Sequence, residues 1–390
     1  MGAYEYKNKI DPLNLTYKFV DSSATGANNG TSWADAFTSL QDALDIAISG
    51  DKIWVAKGTY YPSSGYNLCD DSGDSTRYYH FEMKEGVKIY GGFAGYEDPE
   101  DFNPSERDFT TDRTILSGDI GTRGNNTDNC YHVFYHPEGL NLTDSALLDG
   151  MNITGGNADA DGVDNYAGGG GMYNKSNSPT LTNVTICKNS SKGGGGIYNF
   201  SYSSPILNNV TISENISIGF GGGMYNYLSS SPILTNVTIS GNSARLSGGG
   251  MFNYSSSSPT LTNVIVSGNT STSGGGGIMN YTSSSPILNN VTISGNRADE
   301  GGGIYIFGSS SSILNNSIIW GNSASTSGNE FYIESGSTVI LNYSCYKDNS
   351  EDVFNEGTFT DTTHNISIDP QFADTVIGDY RLMSTSPCLD

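Results

Sequence analysis

Three columns of residues recur with one period through the middle of the chain, and this repeat constrains the fold more than any other feature. When the glycine-rich segments from GGGGMYN to GGGGIMN are aligned, their asparagines are spaced by 25, 27, 27 and 27 residues. These asparagines are Asn174, Asn199, Asn226, Asn253 and Asn280. A proline column and a second asparagine column keep the same period: Pro179, Pro205, Pro232, Pro259 and Pro286, and Asn189, Asn215, Asn242, Asn269, Asn296 and Asn322. Such a repeat indicates a solenoid in which each unit contacts its neighbours.

Each unit reads roughly GGGxYNxxxSSPILTNVTISGNSAxx, with short β-rich runs broken by glycine, asparagine and serine. No run is long enough for a helix, so one unit predicts one coil of two or three short strands. In a parallel stack, equivalent positions lie about 4.8 Å apart, and a repeated residue therefore forms a ladder. The sequence predicts an all-β fold, a right-handed parallel β-helix solenoid with coils of about 27 residues.

The repeat also predicts which side chains fill the interior. Two aliphatic ladders are expected there: Met172, Ile197, Met224, Met251, Ile278 and Ile304, and Ile186, Ile212, Ile239, Val266, Ile293 and Ile319. A third column alternates with the first ladder and is expected on the opposite side of its strand: Tyr173, Tyr198, Tyr225, Phe252, Met279 and Tyr305. Two interpretations of this column stay open, an exposed stripe that stacks on sugars and a ladder shielded by neighbouring loops.

The open ends of a solenoid expose strand edges, which favours a cap at each end. Residues 32–62 place Leu40, Ala43, Leu44 and Ala47 on one helical face and then pass through Gly50 into a β-rich run. We therefore predict an N-terminal capping helix. The chain is interpreted as one elongated domain, with an N-terminal strand and cap over 1–62, irregular coils over 63–165, regular repeats over 166–322 and closing coils over 323–390.

Charge and composition restrict the partners and the location. With 41 acidic and 18 basic residues the net charge is −23, which argues against nucleic acid as a partner. No apolar run approaches the roughly 18 residues of a membrane span. The polar start MGAYEYKNKIDPLN has no signal-peptide core, so we expect a removed signal or a piece of a longer product. Many N-x-S/T sequons suit a glycosylated protein outside the cell or at its surface.

The five cysteines show no metal-binding spacing. Cys345 with Cys388, and Cys69 with Cys130, could form disulfides outside the cell, but the sequence does not assign the pairs.

The segment NADADGVDN resembles the first half of a calcium loop. Its candidate ligands are Asn157, Asp159, Asp161 and Asp164. The twelfth position is Gly168 instead of glutamate, which removes the bidentate ligand. A weak Ca²⁺ site completed by backbone oxygens and water, and a solvated acidic insertion, both remain open.

A search for catalytic residues finds no constellation. A polysaccharide lyase would combine acidic calcium ligands with a basic residue, and a hydrolase would present paired carboxylates. Between Asn174 and Trp320 the basic residues do not recur in a common column, and the acids are equally sparse. The basic residues are Lys175, Lys188, Lys192, Arg245 and Arg297, and the acids are Glu214, Asp299 and Glu300. All four histidines lie outside the repeats, without a recognisable catalytic motif. The sequence therefore predicts no catalytic residue and no enzyme.

GGGIYN followed by NVTISGN resembles the repeats of secreted β-helix proteins that share the pectin-lyase-like fold and carry polymorphic-outer-membrane-protein-type repeats. The opening YKFVDSSATGANNGTSWADAFTSLQDAL, with GDKIWVAKGTYYP, GVKIYGGFAGYE and TILSGDI, is similar to large archaeal and bacterial cell-surface proteins. In such proteins a segment like DPQFADTVIGDYRLMSTSPCLD is followed by a tail similar to MGAYEY, which comes first here. Head-to-tail assembly is one hypothesis that this order suggests.

The leading functional prediction is a non-enzymatic extracellular structural or adhesive component of a surface layer or sheath. It would self-associate into filaments or layers, contact glycans, and need no cofactor other than Ca²⁺. The alternative is a carbohydrate-active enzyme, a polysaccharide lyase or hydrolase with its site in the irregular N-terminal coils, or a glycan-binding module on the same fold.

Overall fold

Parallel pairing between equivalent strands of successive coils organises the chain. The computed structural model describes residues 17–65, 76–160, 167–362 and 364–389. In the repeats the ladder pairs residues of one column, as in Ile197 with Met224 and Ile212 with Ile239. The predicted parallel β-helix is confirmed, and each regular coil contributes a strand to each of four sheets, A to D.

Sheet A contains β1 Tyr17–Val20, β2 Lys52–Ala56, β4 Lys88–Phe93, β7 Leu147–Asp149, β11 Thr180–Thr182, β15 Ile206–Asn208, β19 Ile233–Thr235, β23 Thr260–Thr262, β27 Ile287–Asn289, β31 Ser311–Asn315, β35 Thr338–Asn342 and β38 Thr358–Asp361. Sheet B contains β3 Gly58–Tyr60, β5 Thr114–Ser117, β8 Met151–Thr154, β12 Thr185–Cys187, β16 Thr211–Ser213, β20 Thr238–Ser240, β24 Ile265–Ser267, β28 Thr292–Ser294, β32 Ile318–Trp320 and β36 Cys345–Tyr346.

Sheet C contains β6 Phe134–His136, β10 Met172–Lys175, β14 Ile197–Phe200, β18 Met224–Tyr227, β22 Met251–Tyr254, β26 Ile278–Tyr281, β30 Ile304–Phe307, β34 Phe331–Ile333 and β37 Val353–Asn355. Sheet D contains β9 Asn157–Ala158, β13 Ser190–Gly193, β17 Ile216–Phe220, β21 Ser243–Ala244, β25 Thr270–Ser271, β29 Arg297–Glu300 and β33 Ser323–Ser327. Three 3₁₀ turns lie at Thr76–Tyr78, Pro104–Glu106 and Asn126–Asp128.

The interior is filled by the two predicted aliphatic ladders. All twelve of their side chains have no solvent exposure and belong to one continuous hydrophobic core. Strand alternation explains this, since every second residue of a short strand points inward.

Both ends of the solenoid carry added structure. The predicted helix is α1, Leu40–Ile46, and the hydroxyl of its N-cap Ser39 accepts a hydrogen bond from the Gln41 N–H. The four predicted apolar residues are buried in the same core as Val20 and Ile53. At the other end β39, Phe372–Asp374, and β40, Asp379–Leu382, form an antiparallel hairpin that borders a cavity of about 820 Å³ against sheet B.

Two buried asparagine ladders run parallel to the aliphatic ones. In sheet C, each side-chain amide from Asn174 to Asn253 donates to the next coil's asparagine at 2.8–2.9 Å. The second ladder, from Asn189 to Asn322, lies between sheets B and D and has bonds of 2.9–3.0 Å. All these bonds point towards the C terminus, so each buried amide is satisfied by its equivalent in the next coil. The repeated asparagine columns therefore form ladders, as expected of repeated residues in a parallel stack, and the Asn174 ladder lies inside the strands of sheet C.

Within the described ranges, no helix has the length and apolar character needed to cross a membrane.

Candidate functional site

Two aromatic columns lie on the outer side of sheet C, because tyrosine or phenylalanine occupies both outward positions of most of its regular strands. The inner column consists of the residues predicted from the sequence: Tyr173, Tyr198, Tyr225, Phe252, Met279 and Tyr305. The outer column lies two residues further along each strand and consists of Phe200, Tyr227, Tyr254, Tyr281 and Phe307.

The inner column is covered by the chain that leads into sheet C. Gly274 lies so close to the Tyr305 ring that an added β-carbon would fall 2.0 Å from it. Nearer the N terminus, the Phe220 ring at the end of β17 stacks on the Phe252 ring at a centroid distance of 4.8 Å. Tyr173 and Phe252 are accordingly only 1% and 3% exposed. The shielded-ladder interpretation holds for Tyr173, Phe252, Met279 and Tyr305, which are buried, whereas Tyr198 and Tyr225 of the same column stay half-buried.

The outer column is half-buried and faces solvent along its length. Tyr227, Tyr254, Tyr281 and Phe307 stack with centroid spacings of 4.9, 5.1 and 4.9 Å and interplanar angles of 5°, 10° and 5°. Phe200 continues the stack at 5.5 Å from Tyr227. The sequence analysis missed this column, although its members recur with the same period, two residues after the inner column.

The rings of the outer column overlap only partly. Parallel rings in contact are separated by about 3.5–4.0 Å perpendicular to their planes, so a centroid spacing of 4.9 Å implies a lateral offset of about 3 Å. Each ring therefore leaves part of a face uncovered by the next ring. The result is a stepped apolar surface with one ring per coil.

The two ends of the outer column carry opposite charges. At the N-terminal end Lys175 pairs in register with Phe200, and its ammonium group lies 5.9 Å from that ring and 3.3 Å from the Glu138 carboxylate. At the C-terminal end Glu334 directly follows Ile333, which pairs with Ile306 in the strand that ends at Phe307.

A carboxylate cluster, Glu300, Glu334 and Glu356, surrounds Tyr305 and Tyr332 at this C-terminal end. The Tyr305 hydroxyl donates to the Glu334 carboxylate. Burial, followed by the nearby charges of Glu334 and Asp299, raises the pKa of Glu300. Burial, followed by the charges of Glu300, Glu334 and Glu356, raises the pKa of Tyr332. These carboxylates come from three successive coils, which is why a search within the repeats did not bring them together.

The structure describes half of the predicted calcium loop. Asn157 donates to Asp159 at 3.0 Å and accepts from the Ser190 hydroxyl at 2.6 Å. Asp159 forms an ion pair with Arg77 at 2.6 Å. Asp161 and Asp164 lie outside the described residues. Among the residues that are described, no group of three or more histidine, cysteine, aspartate or glutamate side chains is arranged to hold a metal ion. The Ca²⁺ site stays a prediction.

Three of the four histidines are buried near the N-terminal end of sheet C. His136 links the Asn174 ladder to the irregular coils, since its Nδ1 lies 2.7 Å from the Asn174 side-chain oxygen and its Nε2 accepts from the Met83 N–H at 3.2 Å. Burial lowers the pKa of both His80 and His136 to about 4. His136 therefore acts here as a neutral hydrogen-bonding group.

Cys130, Cys345 and Cys388 are free thiols in the structure, so both disulfide pairings stay predictions. Cys345 and Cys388 line the same cavity beneath the C-terminal hairpin, and the two thiols interact. Cys130 is buried and donates to the His132 carbonyl at 3.1 Å, while Cys69 lies outside the described residues.

Comparison with known proteins identifies the fold. No family model and no curated protein matches the chain. Among solved structures, pectate lyase Pel9A matches with a TM-score of 0.56 and 15% identity over 96% of this chain and 92% of that one. A rhamnogalacturonan lyase matches with a TM-score of 0.43 and 12% identity over 92% and 91%. The fold is a right-handed parallel β-helix.

The same comparison corrects one prediction. The chain was expected not to be an enzyme, but Pel9A, with which it shares its fold over almost its whole length, is a lyase. The expectation was wrong because it rested on the absence of a repeated catalytic column. A solenoid needs an active site only once, and residues from several coils can form it where the repeat ends.

Proposed function

We propose that the protein is a carbohydrate-active enzyme that holds a polysaccharide along the outer column and cleaves it at the carboxylate cluster. One observation carries this proposal: a half-buried row of five stacked rings on sheet C ends near Tyr305 and Tyr332, around which the carboxylates of Glu300, Glu334 and Glu356 gather. The fold likeness to a pectate lyase is consistent with such a role. Because long structural polysaccharides are found outside cells, we also propose an extracellular location for the protein.

The outer column offers a polymer the same contact at every coil. The C–H groups of a pyranose ring form an apolar surface that packs against an aromatic ring, while a tyrosine hydroxyl provides a hydrogen-bonding group beside it. Tyr227, Tyr254 and Tyr281 provide both elements at a spacing close to the advance of one sugar in an extended chain. A polymer aligned with the solenoid axis would contact all five rings at once.

The carboxylate cluster has the groups that hydrolysis of a glycosidic bond requires. One carboxylic acid must protonate the leaving oxygen, and a second carboxylate must activate water or attack the sugar. Glu300 suits the acid role because burial and neighbouring charge favour its protonated form. Glu334 suits the second role because it accepts the Tyr305 hydrogen bond, which holds its carboxylate in place.

The test is turnover of a polysaccharide panel by the full chain, measured as new reducing ends, with ultraviolet absorbance to detect unsaturated lyase products. Glu300→Gln and Glu334→Gln should each lower the rate by at least about a hundredfold. Glu214→Gln is the matched control, because Glu214 is an exposed glutamate of the repeats that pairs only loosely with Lys188. Equal activity in all three variants would refute the assignment of the cluster, and absence of turnover on every polymer would refute the proposed enzyme.

A further inference from the structure

The charges around the outer column determine which polysaccharides it can accept. Among the nine described strands of sheet C, Lys175 is the one lysine or arginine, and Glu138 already pairs with it at 3.3 Å. His136, the one histidine of these strands, is fully buried. The residues that face solvent along the column are therefore uncharged from Phe200 to Phe307.

A polyuronate would meet unfavourable electrostatics on this face. Such a polymer carries a carboxylate on each sugar, so a chain along the column would present several negative charges where the described strands of sheet C offer only Lys175, which is already paired with Glu138. Its end would also approach the carboxylates of Glu334 and Glu356, which add to this repulsion. The overall charge of −23 adds a long-range repulsion.

An uncharged polymer avoids this electrostatic repulsion and can still contact the aromatic rings and tyrosine hydroxyls of the outer column. The ring centroids recur at 4.9–5.1 Å with nearly parallel planes, a regular spacing that matches a chain with an extended backbone. A coiled polymer would contact one or two rings and leave the others unused.

We infer that the outer column selects an uncharged, extended polysaccharide, in contrast to the anionic substrate that the name of the fold neighbour would suggest. This inference rests on the proposed function, since it specifies the substrate class of the same face. Selection arises from apolar contact and hydrogen bonding, with no contribution from salt bridges.

The experiment is affinity gel electrophoresis and calorimetry of the full chain with two kinds of polymer. The uncharged set contains soluble β-linked glucans, mannans and xylans, and the anionic probe is polygalacturonate of similar length, with a chelator present to remove bridging cations. We expect binding to at least one uncharged polymer, unchanged between low and high ionic strength. Tyr254→Ala and Tyr281→Ala should each weaken it about tenfold.

Tyr254→Phe should retain most of the affinity, because it keeps the ring and removes only the hydroxyl. Tyr96→Ala is the matched control, since Tyr96 is 82% exposed and lies outside the described strands of sheet C. Circular dichroism and thermal melting of every variant separate lost binding from lost folding.

The outcomes distinguish the inference from the proposed function. If polygalacturonate binds with chelator present, at least as tightly as the uncharged polymers, and loses affinity in the tyrosine variants, the face is a glycan site and the inference is overturned. If folded tyrosine variants bind every polymer as well as the wild type, both ideas fail. Failure of all uncharged polymers to bind the wild type also overturns the inference.

Discussion

Replacing Glu330 by glutamine tests how the second asparagine ladder ends. Glu330 has no solvent exposure, and its carboxylate accepts hydrogen bonds from the Asn322 side-chain amide and from the Gly321 N–H at 2.8 Å. Asn322 is the last member of the ladder, so this carboxylate receives the final amide of a chain of bonds that all point in one direction. Burial raises the pKa of Glu330 to about 7 from an ordinary value of 4.5, despite both hydrogen bonds.

The sign of the pH effect follows from this shift. Between pH 4.5 and about 7 the folded state keeps a proton that the unfolded chain has released, so the folded state binds more protons in this window. Stability therefore falls as pH rises through it. A shift of this size corresponds to about 3 kcal/mol at pH above 7, which is large compared with an ordinary surface substitution.

Glu330→Gln removes the charge but leaves one of the two donors without an acceptor, which costs about 1 kcal/mol. We expect the variant to be less stable than the wild type at pH 4.5 and more stable at pH 8, so that the two curves cross. Native-state hydrogen exchange of the amides in β32–β34, together with urea unfolding, measures this, because a solenoid can open locally before it unfolds globally. Glu214→Gln, on the surface, should leave the pH dependence unchanged. Parallel stability curves for wild type and Glu330→Gln would refute the reasoning.

Two further predictions concern stability. Asn242→Ala should destabilise the protein by about 3 kcal/mol in urea unfolding, because it removes a buried amide bonded to Asn215, Asn269 and the Ile212 carbonyl. The control is Asn236→Gly, in an exposed asparagine ladder, which should change the free energy of unfolding by less than about 1 kcal/mol. Equal losses in the two variants would contradict the role assigned to the buried ladder. Oxidation by molecular oxygen or oxidised glutathione should form a disulfide between Cys345 and Cys388, whose thiols interact beneath the C-terminal hairpin. This disulfide should stabilise the fold by up to about 4 kcal/mol. Peptide mapping that finds both thiols free after oxidation would contradict the prediction.

Much of the fold followed from the repeat. A period of 27 residues places the same side chain at the same position of every coil, so the interior aliphatic ladders and the repeated asparagine columns could be predicted. The capping helix was predicted separately, from the apolar face formed by Leu40, Ala43, Leu44 and Ala47. The inner column was also placed correctly on the outside of its strands, since strand alternation decides which way Tyr198 or Phe252 points.

The candidate site was harder to predict, for two physical reasons. Whether an outward-pointing ring is covered depends on the segment packed beside it. Gly274 covers Tyr305 and Phe220 covers Phe252, although each pair is about thirty residues apart in the sequence. All five rings of the outer column, which has the same period, stay half-buried. The carboxylates of Glu300, Glu334 and Glu356 are far apart in sequence and lie together only because successive coils stack.

The sequence by itself determined the coil, its core and its period, because these depend on residue type and spacing, which recur along the chain. Only the tertiary structure decided which aromatic column remains exposed and which charges gather at its end. Exposure depends on how neighbouring segments pack over each column, and the carboxylates come together through the stacking of coils beyond the regular repeat, and neither can be read from the spacing of residues along the chain.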